Sequence, residues 1–168
     1  TELRRAHIES LRSLERIDDA VEEYRILVDL LIDQGEEKGA ETAIEEALQL
    51  SPDHIEIQQV LVDLYLRSER KEEALIVLKN LTRALGQKGR RDALIATCDR
   101  LLGLNPDDLD TRTLLAEQYL EKGLAAEASE EFERVGDQYS RDGKFEEARV
   151  IFDRVIGIDP GVLEVLRK

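Results

Sequence analysis

Residues 107–160 read DDLDTRTLLAEQYLEKGLAAEASEEFERVGDQYSRDGKFEEARVIFDRVIGIDP, and residues 53–106 read DHIEIQQVLVDLYLRSERKEEALIVLKNLTRALGQKGRRDALIATCDRLLGLNP. Laid over one another without a gap, they match Leu61 with Leu115, Tyr65 with Tyr119, Leu66 with Leu120 and Ala74 with Ala128. The match runs on through Gly89 with Gly143, Arg100 with Arg154, Gly103 with Gly157 and Pro106 with Pro160. Residues 1–52 fall into the same frame: Ala20 stands with Ala74 and Ala128, Tyr24 with Leu78 and Phe132, and Gly35 with Gly89 and Gly143. Pro52, Pro106 and Pro160 punctuate it at intervals of 54 residues. The recurring types are small residues, aromatics and turn formers, which helix packing and tight turns restrict most. A fixed period of this size means one supersecondary unit stacked repeatedly, with function in a surface.

Within a unit the apolar spacing is helical. In 53–106, Val60, Leu61, Leu64 and Tyr65 form one stripe, Ala74, Leu78, Leu81 and Leu85 a second, and Leu94, Cys98, Leu101 and Leu102 a third. The breaks, Arg67 to Lys71, Gly86 to Arg90 and Asn105 to Asp108, are short, so consecutive helices run antiparallel. Gly89 and Gly143 suit positive φ past a helix end, and the prolines suit helix entries where a missing N–H costs nothing. No sustained period-2 alternation marks a strand. The expected architecture is all-α: about nine antiparallel helices in units 1–52, 53–106 and 107–160, with 161–168 starting a further helix. The chain is expected to be one domain over 1–168 and a piece of a longer protein, since Thr1 is not Met and both termini read as helical.

Composition agrees with a folded chain: 42% of residues are hydrophobic, 37% charged, and no apolar run approaches bilayer length. A single cysteine, Cys98, forms no internal disulfide, which fits a reducing cytoplasm. The net charge of −14 is uneven. Residues 1–52 hold six basic and fourteen acidic side chains, 53–106 nine and eight, and 107–160 seven and fifteen, for nets of −8, +1 and −8. An acidic chain without a basic run interleaved with aromatics is a poor match to phosphate backbones, so nucleic acid is not an expected partner.

Leu115-Ala116, Tyr119, Gly123, Ala128, Phe132 and turn chemistry at Ser140 in a proline position resemble the tetratricopeptide repeat. The pattern restarts at Ser129 as Phe132, Val135-Gly136, Tyr139, Gly143, Ala148, Phe152 and Pro160, so the second helix serves two overlapping repeats. Departures are Glu15 and Glu69 where Gly123 stands, Leu94 where Ala148 stands, and the absence of tryptophan. The resemblance implies a solenoid, either the family's right-handed two-helix superhelix with a concave groove or, with three helices per unit, an armadillo-like curvature. It also implies peptide-binding positions on the groove at Arg25 and Asp29, Gln59 and Asp63, Lys79 and Arg83, Thr113 and Glu117, and Glu133 and Asp137. No repeat carries the Lys and Asn pair with which the chaperone-binding subclass grips a terminal carboxylate. The acids at Asp29, Asp63, Glu117 and Asp137 instead suit a basic or mixed-charge ligand, while ordinary solvated side chains explain the same residues without one.

No catalytic, cofactor or metal motif competes with this reading. The string from Gly136 to Gly143-Lys144-Phe145 resembles a phosphate loop but has six residues between the glycines and Phe145 in place of the magnesium-binding hydroxyl. Cys98 shares its frame position with Ile44 and Phe152, a core position, and His7 and His54 are solitary. Asp107, Asp108 and Asp110 lack the glycine and distal glutamate of a calcium loop and fit the positive end of a helix dipole. The expected function is a non-enzymatic scaffold binding a protein or peptide through a concave helical surface. The alternatives are self-association, in which acidic outer units meet the near-neutral middle one, and a docking segment of a larger enzyme.

Overall fold

The computed structural model describes residues 1–158, which form nine helices and no strand. In chain order these are α1 Glu2–Ser13, α2 Ile17–Asp33, α3 Glu37–Leu50, α4 Ile55–Arg67, α5 Lys71–Gln87, α6 Arg91–Leu104, α7 Leu109–Glu121, α8 Ala125–Arg141 and α9 Phe145–Ile158. Three helices per 54 residues is the repeat read from the sequence. Pro160 and the helix start expected over 161–168 lie outside the described residues.

Two kinds of turn alternate with the helices. The tight kind needs a left-handed residue, and positive φ occurs at Glu15, Gly35, Glu69, Gly89, Gly123 and Gly143, at spacings of alternately 20 and 34 residues. After α2, Gly35 N–H donates to Ile32 O at 3.0 Å and Glu36 N–H to Leu31 O at 2.8 Å, which satisfies the last carbonyls of the helix. Arg70, Leu124 and Lys144 donate in the same way to Tyr65, Tyr119 and Tyr139 at 2.8–2.9 Å.

The second kind contains the proline. Pro52 and Pro106 lie two residues ahead of the N-caps His54 and Asp108, not at the first helical positions expected of them. The caps supply the reason: Asp108 Oδ1 accepts from Thr111 N–H at 3.1 Å and His54 Nδ1 from Ile57 N–H at 3.4 Å, so each helix already has its entry device. The proline carbonyls are used instead, accepting from Gln58 Nε2 at 2.6 Å and from Arg112 Nη2 at 2.7 Å. Two boundaries also move. Gly86 and Gln87 belong to α5, and Ser140 lies inside α8, because a serine keeps the N–H that a proline would have removed.

By its internal contacts the chain divides into two compact units, Thr1–Gly89 and Arg90–Lys168. In the first, α2 and α3 pack together, α3 packs on α4, and α4 on α5. Val21, Tyr24, Leu27, Val28 and Leu31 of α2 face Ala40, Ala43, Ile44 and Ala47 of α3, and Ile57, Leu61 and Leu64 of α4 join the same core. In the second, α7, α8 and α9 enclose Ala116, Phe132, Val135, Ile151 and Val155. Each fully buried Leu, Val or Phe contributes about 1.5–3 kcal/mol relative to exposure. Small residues set the helix spacing: Ala20, Ala74 and Ala128 are fully buried at one frame position. Gly136 faces the Phe152 ring so closely that an added Cβ would lie 2.7 Å from a ring carbon.

Candidate surface for a partner

Between α2 and α4 lies a depression of about 360 Å³, lined by Asp29, Ile32, Asp33, Val60, Asp63, Leu64 and Arg67. Its residues follow from two helical faces. On α2, 29, 32 and 33 lie on one side, one turn beyond the core residue Val28; on α4, 60, 63, 64 and 67 do the same. Leu64 is 3% exposed and belongs to the core, and Ile32 and Val60 pack against it, so the floor is apolar. The walls carry three carboxylates against one guanidinium. One of them, Asp29, accepts from Arg25 Nη1 at 3.2 Å. Arg25 is also held by Glu22 at 2.6 Å, so its charge is shared along α2.

Of the groove positions implied by the sequence, Asp29 and Asp63 line this depression, with Arg25 and Gln59 one turn back on the same two helices. Lys79 and Arg83 lie on α5 and are exposed, away from its lining. Thr113 and Glu117 lie on α7 in the second unit, half-buried. Glu117 Oε1 accepts from Arg154 at 3.3 Å, and that guanidinium sits 4.4 Å from the centre of the Phe132 ring. Ile32, Asp33, Val60, Leu64 and Arg67 had not been read as groove residues. Asp33 and Arg67 follow Asp29 and Asp63 by four residues, which was the signal for them.

A second, smaller depression of about 170 Å³ lies within the second unit and has the opposite character. Pro106, Asp107, Leu109 and Arg112 line it from the start of α7, and Arg134, Asp137, Gln138 and Arg141 from α8. Asp137 is one of the implied groove positions. Glu133 lies on α8, half-buried, and is not part of this lining. Two of the three arginines already have strong partners. Arg112 is paired with Glu131 at 2.7 Å, and Arg134 reaches Glu130 and Glu131 at 2.5 Å each.

Cys98 is fully buried, and burial pushes its thiol up to about 12, with Asp99 and Asp108 adding to the shift, so it stays protonated. Gly136 is buried in α8, and Gly143 is a left-handed turn, which places the phosphate-loop-like string in helix and turn. Asp108 caps α7 and Asp110 lies in its first turn, as a helix entry requires. Among the described residues no helix is long and apolar enough to cross a membrane.

The profile of the tetratricopeptide repeat family matches residues 31–98. A comparison with curated proteins gives no match. Among solved structures, BtubC (BKLC) from P. vanneervenii superposes with a TM-score of 0.53 at 18% identity, covering 95% of this chain and 72% of that one. A putative kinesin light chain with nearly identical tetratricopeptide-like repeats, from Podosopora anserina, gives 0.45 at 16% identity, covering 96% and 95%. YrrB, described as a tetratricopeptide repeat protein with an unusual peptide-binding site, gives 0.37 at 18%, covering 93% and 95%. The first of these superpositions supports the fold, an all-α helical-repeat solenoid.

Proposed function

Because the chain is a divergent member of the tetratricopeptide repeat family, we propose that it is a non-enzymatic module that holds a partner protein, taking a basic or mixed-charge segment into the depression between α2 and α4. The fold generally mediates protein–protein interaction, and chains of this kind are typically scaffolds. The observation that carries the finer reading is Asp29, Asp33 and Asp63 standing around an apolar floor of Ile32, Val60 and Leu64. The floor gives an anchor side chain a place to lose water, which supplies most of the affinity at such surfaces. The carboxylates select lysine or arginine beside that anchor and raise the rate of encounter. Arg67 at the rim accommodates one acidic residue, hence a mixed-charge segment rather than a purely basic one.

The test is peptide binding measured by fluorescence anisotropy, using a basic amphipathic peptide, its charge-reversed counterpart and a scrambled basic control. The double substitution Asp29→Lys with Asp63→Lys, at two exposed positions, is expected to weaken the basic peptide at least tenfold while leaving thermal melting unchanged. Equal binding of acidic and basic peptides, or indifference to the double reversal, refutes this assignment of the surface.

A further inference from the structure

Three of the most exposed large apolar side chains among the described residues occupy frame positions that, elsewhere in the chain, make the joint between one repeat and the next. Leu3 is 90% exposed, yet its equivalents Ile57 and Thr111 are 0% and 7% exposed. Ile57 belongs to the core that α3 and α4 share, so Leu3 marks the face of α1 that corresponds to the covered face of α4. Leu14 is 63% exposed at the end of α1, and Phe145 is 71% exposed at the start of α9.

At the internal joints these last two positions meet. The equivalents of Phe145 are Glu37 and Arg91, and those of Leu14 are Ser68 and Lys122. Where α3 packs on α4, Ser68 Oγ donates to Glu37 Oε2 at 3.1 Å. Where α6 packs on α7, Lys122 Nζ reaches Asp92 at 2.7 Å, beside Arg91, which itself reaches Glu121 at 2.6 Å. The internal joints are therefore polar at this point, while the same position is apolar on both α1 and α9. A change on one helix alone would be an isolated surface residue; matched changes on both point to a contact.

We propose that a second copy of this chain covers α1, its α9 docking there in the register in which α3 packs on α4. Phe145 of one copy then packs on Leu14 of the next, and Leu3 enters the place that Ile57 fills at the internal joint. The contact is heterologous: each copy offers a different face at each end, so association continues until it closes or runs out of copies. One helix against one helix buries a small area, so association is weak and concentration-dependent. It does not involve the depression between α2 and α4.

The experiment is sedimentation velocity on the 168-residue chain over about 5–500 µM at ordinary and at about 0.5 M salt, the latter to screen charge–charge association. The unaltered chain is expected to gain mass with concentration at both salt levels. Leu3→Glu with Leu14→Glu should give a monomer, and so should Phe145→Glu; circular dichroism and melting should be unchanged, since all three side chains are exposed. An equimolar mixture of the two variants should recover a dimer and nothing larger, because one retains a competent α9 and the other a competent α1. A monomer at every concentration overturns the proposal. So does association that survives Phe145→Glu, which would mean α1 pairing with itself, or that vanishes in salt, or a mixture that stays monomeric.

Discussion

At one place in the 54-residue frame, the first and third repeats join their first two helices by an arginine and a glutamate, and the middle repeat joins them differently. Arg4 pairs with Glu23, and Arg112 with Glu131 at 2.7 Å; the middle repeat has Gln58 and Val77 there. Gln58 keeps half of the arginine's role, since its Nε2 holds the Pro52 carbonyl as Arg112 holds that of Pro106. Val77 packs against the core in place of the carboxylate, and Gln58 Oε1 has no partner among the described residues. An ion pair removed from water recovers in attraction roughly what it loses in solvation, so a polar–apolar pair of similar volume can replace it, whereas half of the pair cannot stand alone.

The largest effect should come from breaking the pair where it is deepest. The Arg112 and Glu131 side chains are 16% and 11% exposed, against 29% and 24% for Arg4 and Glu23. Glu131→Ala is expected to destabilise the protein by about 3 kcal/mol, because a nearly buried guanidinium loses its counter-charge. Glu23→Ala, at the wetter pair, should cost only about 1 kcal/mol. Copying the middle repeat with Arg112→Gln and Glu131→Val together should return stability to within about 1 kcal/mol of the starting protein. Urea unfolding of the four chains decides it. A double variant as damaged as Glu131→Ala would show that the middle repeat's solution depends on its own surroundings.

This comparison was only partly legible in the sequence. The period, the helices and the buried Ala20, Ala74 and Ala128 were readable because each answers a local demand, a turn or a close helix contact, that few residue types meet. Glu15 and Glu69 were visible only as departures from Gly123, although they adopt the same left-handed turn. The division between Gly89 and Arg90 carries no linker composition and falls inside an unbroken repeat, since it depends on contacts rather than on local chemistry. The depression between α2 and α4 was half visible. Asp29 and Asp63 follow from the resemblance, but Val60 and Leu64 read as plain core, because periodicity assigns a helix a face without saying where its neighbour leaves a gap.

A smaller effect is expected where the two units fill the space between their hairpin helices with different volumes. The second unit sets Gly136 against Phe152; the first has Val28 and Ile44 at those positions. Gly136→Val should cost about 2 kcal/mol, since even its first carbon meets the Phe152 ring at 2.7 Å and the ring must leave its place. Adding Phe152→Ile, which copies the first unit, should recover more than half of that loss. Thermal melting of the single and double variants measures the coupling. Simple additivity would mean that the ring moves aside freely and that the glycine is not required by it.

The smallest effect concerns the turns at Glu15, Glu69 and Gly123, which share a frame position and a positive φ of 55°, 58° and 76°. A side chain in that conformation crowds the following carbonyl, at about 1–2 kcal/mol, while glycine adopts it freely but has more freedom to lose on folding. The two terms leave a net gain of about 0.5–1 kcal/mol for Glu69→Gly and a comparable loss for Gly123→Glu. The neighbouring hydrogen bonds, Arg70 N–H to Tyr65 O and Leu124 N–H to Tyr119 O, are at 2.8 and 2.9 Å, so the two turns have the same geometry to lose. Chemical denaturation of both variants should therefore show shifts of opposite sign. If Glu69→Gly were neutral or destabilising, the glutamate side chain would have to be making a contact that offsets its strain, and the two turns would be alike in backbone only.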